Sequence, residues 1–234
     1  EDNMNARVNI FIILAPLLII VSAVLGAAFY SAVKPIDKQQ AVAKMQLDVE
    51  KLARKSPNLA GTTMAVYMPH KGIDSEFGAS HRLFHTASVG KLFTSIMIVR
   101  KIESGAIRAD SRISDIVSAQ TLTDLFVFEG KDYAKEVSIE QLLAHTSGIA
   151  DYFDGEARNG SKKVSELMID EPDREWTPQQ LLDHSRVHQQ ALSRPGERYL
   201  YSDSGYVLLG LAIEALYGKP FELAVADEIL IPLG

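Results

Sequence analysis

The chain has 234 residues, 47% of them hydrophobic, enough for one well-buried core with extra segments. Its 24 Lys and Arg stand against 30 Asp and Glu, a formal net charge of −6, so there is no basic face to hold nucleic acid. There is no cysteine, which excludes disulfide frameworks, thiolate metal sites and a cysteine nucleophile.

Residues 1–9 form a short polar tail. From Ile10 to Ala28 the side chains are apolar except for Pro16, Ser22 and Gly26. At about 1.5 Å per residue this run spans roughly 28 Å, close to the hydrocarbon thickness of a bilayer. It predicts a transmembrane or signal-anchor helix over residues 10–30. A cleaved secretory signal is the alternative: its apolar region is about 7–15 residues, shorter than this one, yet Gly26, Ala27 and Ala28 would suit cleavage. Arg7 precedes the span while Lys34 and Lys38 follow it, so charge bias alone does not orient it, although long domains translocate regardless of charge. The expectation is a membrane-anchored protein with its large domain extracytoplasmic.

Residues 31–58 read as a linker and an amphipathic helix, with Val42, Met45, Val49 and Leu52 at helical spacing and Ser56-Pro57-Asn58 as the break. Residues 59–234 read as one domain. Thr62 to Met68 predicts a strand, Lys71-Gly72 a turn, and a second short strand leads to Phe77. A helix is expected from about Ser88, burying Leu92, Ile96, Val99 and Ile102 and ending near Gly105. Capping boxes announce two more, at Ser138 with Gln141 and at Thr177 with Gln180, the latter with Pro178 at the first helical position. A further helix runs from about Ser204 to Tyr217, closed by Gly218 with Pro220 beyond. The stretches from Ile113 to Val137 and from Asp154 to Glu175 read as irregular connections. Helices dominate after two early strands, which predicts an α+β fold with a helical subdomain.

The chemical signal is Ser88-Val89-Gly90-Lys91. A serine hydroxyl is a weak nucleophile until a base takes its proton. Residues three apart on a helix share a face, so Lys91 can reach the Ser88 oxygen. To act as a base it would have to be pulled well below the ordinary lysine pKa of about 10.4. By itself the spacing also fits a capping serine and a solvated lysine, and it recurs at Ser31 to Lys34. Tyr201 and Tyr152 each begin a Tyr-x-Asp-like triplet. His184 and His188 lie four apart without a third ligand and read as surface or packing residues, so no metal is expected. Trp176 reads as core or pocket wall.

The context carries a resemblance. Phe84-His85-Thr86-Ala87-Ser88-Val89-Gly90-Lys91-Leu92-Phe93-Thr94 resembles the nucleophile segment of the β-lactamase-related serine hydrolases. These include class C β-lactamases, D-Ala-D-Ala carboxypeptidases, D-aminopeptidases and family VIII esterases. Leu142-Leu143-Ala144-His145-Thr146-Ser147-Gly148-Ile149, then Pro195-Gly196, Tyr201-Ser202-Asp203 and Tyr206-Val207-Leu208-Leu209-Gly210, resemble later family segments in the right order. Ile231-Pro232-Leu233-Gly234 resembles the point where the family's helical region returns to its sheet. The likeness implies that Ser88 forms an acyl-enzyme, Lys91 assists its deprotonation and Tyr201 shuttles protons to the leaving group. His145 would be mainly architectural. Asp203 stands where the family usually has Asn at its substrate site. A carboxylate can accept but not donate to a substrate carbonyl, and beside Lys91 it favours the charged ammonium. That lowers the expectation of efficient β-lactam hydrolysis, not of hydrolase chemistry.

The family's third motif, Lys-Thr-Gly or His-x-Gly on a sheet strand, has no counterpart before Gly234. With Glu1 in place of an initiating methionine, the sequence is expected to be a C-terminally truncated part of a β-lactamase/penicillin-binding-protein-like fold, an antiparallel sheet plus helical subdomain. The expected function is a serine hydrolase acting through an acyl-enzyme on an amide or ester, for instance a D-amino-acid peptide derived from peptidoglycan or a β-lactam, with no cofactor. The alternatives are a non-catalytic penicillin-recognising sensor module and an inactive fragment.

Overall fold

The computed structural model describes residues 37–59, 61–78 and 83–234. The span expected at 10–30 and the tail at 1–9 lie outside these residues. Among the described residues no helix is long and apolar enough to cross a membrane. The chain divides into two compact units, one ending at Phe84 and the other comprising His85–Gly234.

In the first unit, helix α1 (Lys38–Lys55) starts where the Asp37 carboxylate accepts the N–H groups of Gln39 and Gln40. Val42, Met45 and Val49 form its half-buried stripe, while Leu52, expected with them, is exposed. Strands β1 (Met64–Met68) and β2 (Ile73–Phe77) pair antiparallel, Met64 opposite Phe77 and Met68 opposite Ile73. Gly72 closes the turn between them at φ 62°, a left-handed conformation that suits glycine.

The second unit begins with a 3₁₀ turn, Ala87–Gly90, that runs into α2 (Lys91–Glu103). The buried face of α2 differs from the expected stripe: Thr94, Met97 and Ile98 are buried, whereas Leu92, Ile96 and Val99 are exposed. Apolar residues surround this helix on nearly every side, so spacing alone does not select the face; its partner helix does. Downstream, the stretch read as irregular at 113–137 is built and packed. It holds a 3₁₀ turn at Ile113–Asp115, a short helix α3 (Ala119–Leu122) and a hairpin of β3 (Val127–Phe128) and β4 (Lys131–Asp132). Ile113, Leu122, Leu125, Phe126 and Val137 are all core residues.

Helix α4 (Ile139–Leu143) follows its capping box, with Ser138 and Gln141 exchanging side-chain and backbone hydrogen bonds. The second stretch read as irregular, 154–175, holds α5 (Val164–Asp170). Thr177 and Gln180 form the reciprocal box of α6 (Pro178–His188), with Pro178 in its first turn. Helix α7 (Asp203–Tyr217) ends at Gly218, φ 67°. Short helices α8 (Phe221–Val225) and α9 (Ile231–Leu233) close the chain around a π turn.

Helix α7 is the hub. Its Leu208, Leu209, Ala212 and Ile213 are fully buried, and it packs on α2, α4, α6 and α8. Each such Leu or Ile contributes about 1.5–3 kcal/mol on burial. The sheet expected beside the helices is represented, among the described residues, by the two two-stranded ladders alone.

Gly148 is the tightest backbone position: φ is 80° and a Cβ there would lie 2.2 Å from the Ser193 carbonyl oxygen. Gly148→Ala should therefore cost on the order of 3 kcal/mol, read as a lowered urea midpoint.

Candidate active site

Ser88 sits in the 3₁₀ turn just ahead of α2. The preceding Ala87 has φ 47°, a left-handed conformation uncommon outside glycine and costing of order 1–3 kcal/mol. Lys91, in the first turn of α2, donates from Nζ to Ser88 Oγ at 3.1 Å. The Tyr201 hydroxyl comes from 113 residues downstream to lie 2.8 Å from the same Ser88 oxygen. Asp203, the first residue of α7, forms an ion pair with Lys91, and the Lys91 ammonium lies 5.0 Å from the Tyr201 ring centroid. The four residues singled out in the sequence thus meet at one place.

Two details depart from the sequence reading. Asp203 was expected as a substrate contact, but its carboxylate is engaged with Lys91. Burial acts to lower the Lys91 pKa, yet the Asp203 carboxylate, followed by the Tyr201 hydroxyl, outweighs it and holds the ammonium above the ordinary lysine range. Lys91 is therefore a charged donor in this arrangement rather than a free base. The other candidate tyrosine, Tyr152, is pushed up to about 12 by burial and then by the Asp203 and Asp151 carboxylates. It stays a neutral phenol beside the site, while Tyr201 alone of the two touches Ser88.

Tyr201 lies on non-helical chain and needs an external mould, which His145 supplies. The His145 carbonyl accepts from Leu200 N–H at 2.8 Å, and its Nδ1 accepts from Ser202 N–H at 3.2 Å. Both neighbours of Tyr201 are thus held by one residue. The imidazole also stacks on the Tyr201 ring, centroids 4.3 Å apart, with Tyr206 behind it at 5.1 Å. His145 itself has φ 55°. Only a deprotonated Nδ1 can accept the Ser202 hydrogen bond.

Asp151, which the sequence reading did not single out, fixes Asp203 in turn. Its Oδ1 accepts the Asp203 backbone N–H at 3.0 Å and so caps α7 from a loop 52 residues away. A buried polar chain holds that loop. Gln189 donates to the Asp151 carbonyl and accepts from Ser185, which meets Ser204, and Ser204 in turn accepts from Tyr152 N–H. No local sequence pattern announces this chain, because its members lie on separate elements.

Burial, followed by the Lys91 charge, holds His145 below the ordinary histidine range. The carboxylates of Asp203 and Asp151 pull the other way without prevailing. Burial and then His188 lower His184 likewise. Below the unfolded histidine pKa of about 6.5 the unfolded chain binds more protons, so the fold should lose stability as pH falls through that value. Urea midpoints near pH 8 and near pH 5.5 check this, and equal midpoints would contradict it.

A family model described as Beta-lactamase matches residues 77–234. Penicillin-binding protein 4 of Amycolatopsis lactamdurans is 26% identical over 191 residues, covering 77% of this chain and 45% of its own length. A solved D-stereospecific amidohydrolase from Streptomyces sp. superposes with a TM-score of 0.57 at 26% identity, covering 69% of this chain and 46% of that one. The octameric penicillin-binding protein homologue from Pyrococcus abyssi gives a TM-score of 0.60 at 23% identity over 85% of this chain and 43% of that one, a likeness of fold. The chain spans less than half the length of these relatives.

Proposed function

Because the chain belongs to the beta-lactamase family, we propose that it is a serine hydrolase whose Ser88 forms an acyl-enzyme with an amide or ester. The observation that carries this reading is the convergence on Ser88 Oγ of the Tyr201 hydroxyl at 2.8 Å and the Lys91 ammonium at 3.1 Å. In the active form the Lys91–Tyr201 pair has lost one proton between its two members. Ser88 Oγ attacks the carbonyl carbon, and its proton passes to that pair. As the tetrahedral intermediate collapses, the bond to the leaving nitrogen or oxygen breaks and Tyr201 returns the proton to it. Water then repeats the cycle on the ester, freeing the acid and Ser88. The Ser88 backbone N–H lies at the start of the helical segment, the positive end of the helix dipole, where an oxyanion is favoured.

The relatives are named as a penicillin-binding protein and a D-stereospecific amidohydrolase, which supports an amide and, within that class, a D-amino-acid peptide related to the cell wall. An extracytoplasmic, membrane-anchored setting fits such a substrate and rests on the apolar run from Ile10 to Ala28. A second reading, a penicillin-recognising module without turnover, draws on Asp203, which keeps Lys91 charged.

Intact-mass labelling of the full-length protein with a fluorophosphonate and with a penicillin tests both. An adduct lost in Ser88→Ala, followed by release of product, supports the hydrolase. A stable penicilloyl adduct without release favours the recognition module. No adduct on folded protein would sink the covalent reading.

A further inference from the structure

A cleft of about 490 Å³ is lined at one end by the Lys91–Asp203 pair and runs from there along α7. Its floor is one face of α7. Asp203, Val207, Gly210, Leu211 and Glu214 recur at helical spacing, so Asp203 marks one end and Glu214 the other. At 1.5 Å per residue those ends are about 16 Å apart along the axis. The middle is apolar, walled by Trp176, Leu181 and Phe221. The Trp176 indole is itself held by the Arg174 guanidinium, stacked 3.7 Å from its ring centroid.

The far end is acidic. Glu214 is fixed there because it accepts the Phe221 N–H at 3.1 Å, and Glu222 follows on the first turn of α8. Among the described residues Lys91 is the one basic residue of the lining, and it is already paired with Asp203 at the opposite end. Nearby Lys219 is paired with Asp227. The two carboxylates at the far end are thus not neutralised by the lining. Gly210 keeps the middle open: a Cβ there would meet Phe221 Cδ2 at an ordinary 3.9 Å.

We propose that this cleft takes the acyl chain of the substrate, on the carbonyl side of the scissile bond, an apolar stretch of about 16 Å ending in an ammonium or guanidinium group. An extended peptide of that length has about five residues, and an ω-aminoacyl chain offers the same chemistry in simpler form. The inference rests on the hydrolase reading and narrows it to substrates that are apolar in the middle and cationic at the end.

The test uses the full chain and p-nitrophenyl esters of fatty acids, of ω-amino acids and of ω-carboxy acids of matched length. Burial of a methylene is worth about a fourfold gain, so kcat/KM should rise about fourfold per methylene until the cleft is filled. The ω-amino ester should exceed the ω-carboxy ester about tenfold or more at low salt. The double substitution Glu214→Gln, Glu222→Gln should collapse that preference ratio, and Gly210→Leu, which replaces a helix-disfavouring glycine with a good helix former, should flatten the dependence on chain length. Ser88 acylation with no dependence on length or charge, or a dependence that Gly210→Leu leaves intact, overturns the inference while the hydrolase stands. If no ester acylates Ser88, the hydrolase reading itself falls. Calorimetry of octylamine against octanoate on the Ser88→Ala protein then decides the cleft separately: tighter amine binding supports it, and equal or absent binding overturns it.

Discussion

Tyr201→Phe should slow acylation of Ser88 by about 10²–10⁴-fold, the usual contribution of a positioned acid–base group. The phenyl ring retains the stack on His145 at 4.3 Å, and the backbone clamps on Leu200 and Ser202 do not involve the hydroxyl. What is lost is the oxygen 2.8 Å from Ser88 Oγ. Tyr201 is also 43% exposed, so removing its hydroxyl leaves no buried donor or acceptor stranded, and the urea midpoint should stay within about 0.5 kcal/mol of wild type. Stopped-flow labelling with an activated ester reads the rate. Acylation at the wild-type rate would remove Tyr201 from the proton path and leave Lys91 as the only candidate. A comparable loss of rate with a collapsed midpoint would mean that the ring, and not the hydroxyl, matters.

The contrast between Tyr201 and its supports shows which parts of this molecule can be read from one sequence. Ser88 with Lys91, and the capping boxes at Ser138 and Thr177, are local patterns in which the chemistry is written within three residues. Helix α7 was equally legible, since Gly218 and Pro220 mark its end. The buried face of α2 was not: its residues are apolar on almost every side, and only the packing of α7 selects Met97 and Ile98 over Leu92 and Ile96. The hairpin at 127–132 and helix α5 were hidden because short elements carry too little periodicity to separate from loops. Asp151 was hidden for a different reason. It is a loop carboxylate like many others until folding brings it to the Asp203 N–H, 52 residues away. His145 could be placed in a recognisable segment, but its hold on both sides of Tyr201 exists only in three dimensions.

Asp203→Asn is expected to change the pH dependence more than any other single substitution. In the wild-type site burial acts to lower the Lys91 pKa, and the Asp203 carboxylate is the leading influence that reverses it. An opposite charge at contact distance favours the charged ammonium, so with an amide in its place Lys91 should lose its proton at lower pH. If deprotonation of the Lys91–Tyr201 pair limits attack by Ser88, the rising limb of the acylation profile moves down with it. At neutral pH the rate then rises, by about tenfold for each pH unit the limb moves. Stability should move the other way. A raised folded pKa contributes stability fully present below the unfolded lysine value of about 10.5, lost as pH rises through the folded value. The wild-type advantage in urea should therefore be visible at neutral pH and vanish in strong alkali. The cap on α7 is preserved, because Asp151 binds the backbone N–H at position 203 and not its side chain. A variant that is stable but slower at every pH would show that the charged ammonium, and not its conjugate base, is what Ser88 uses.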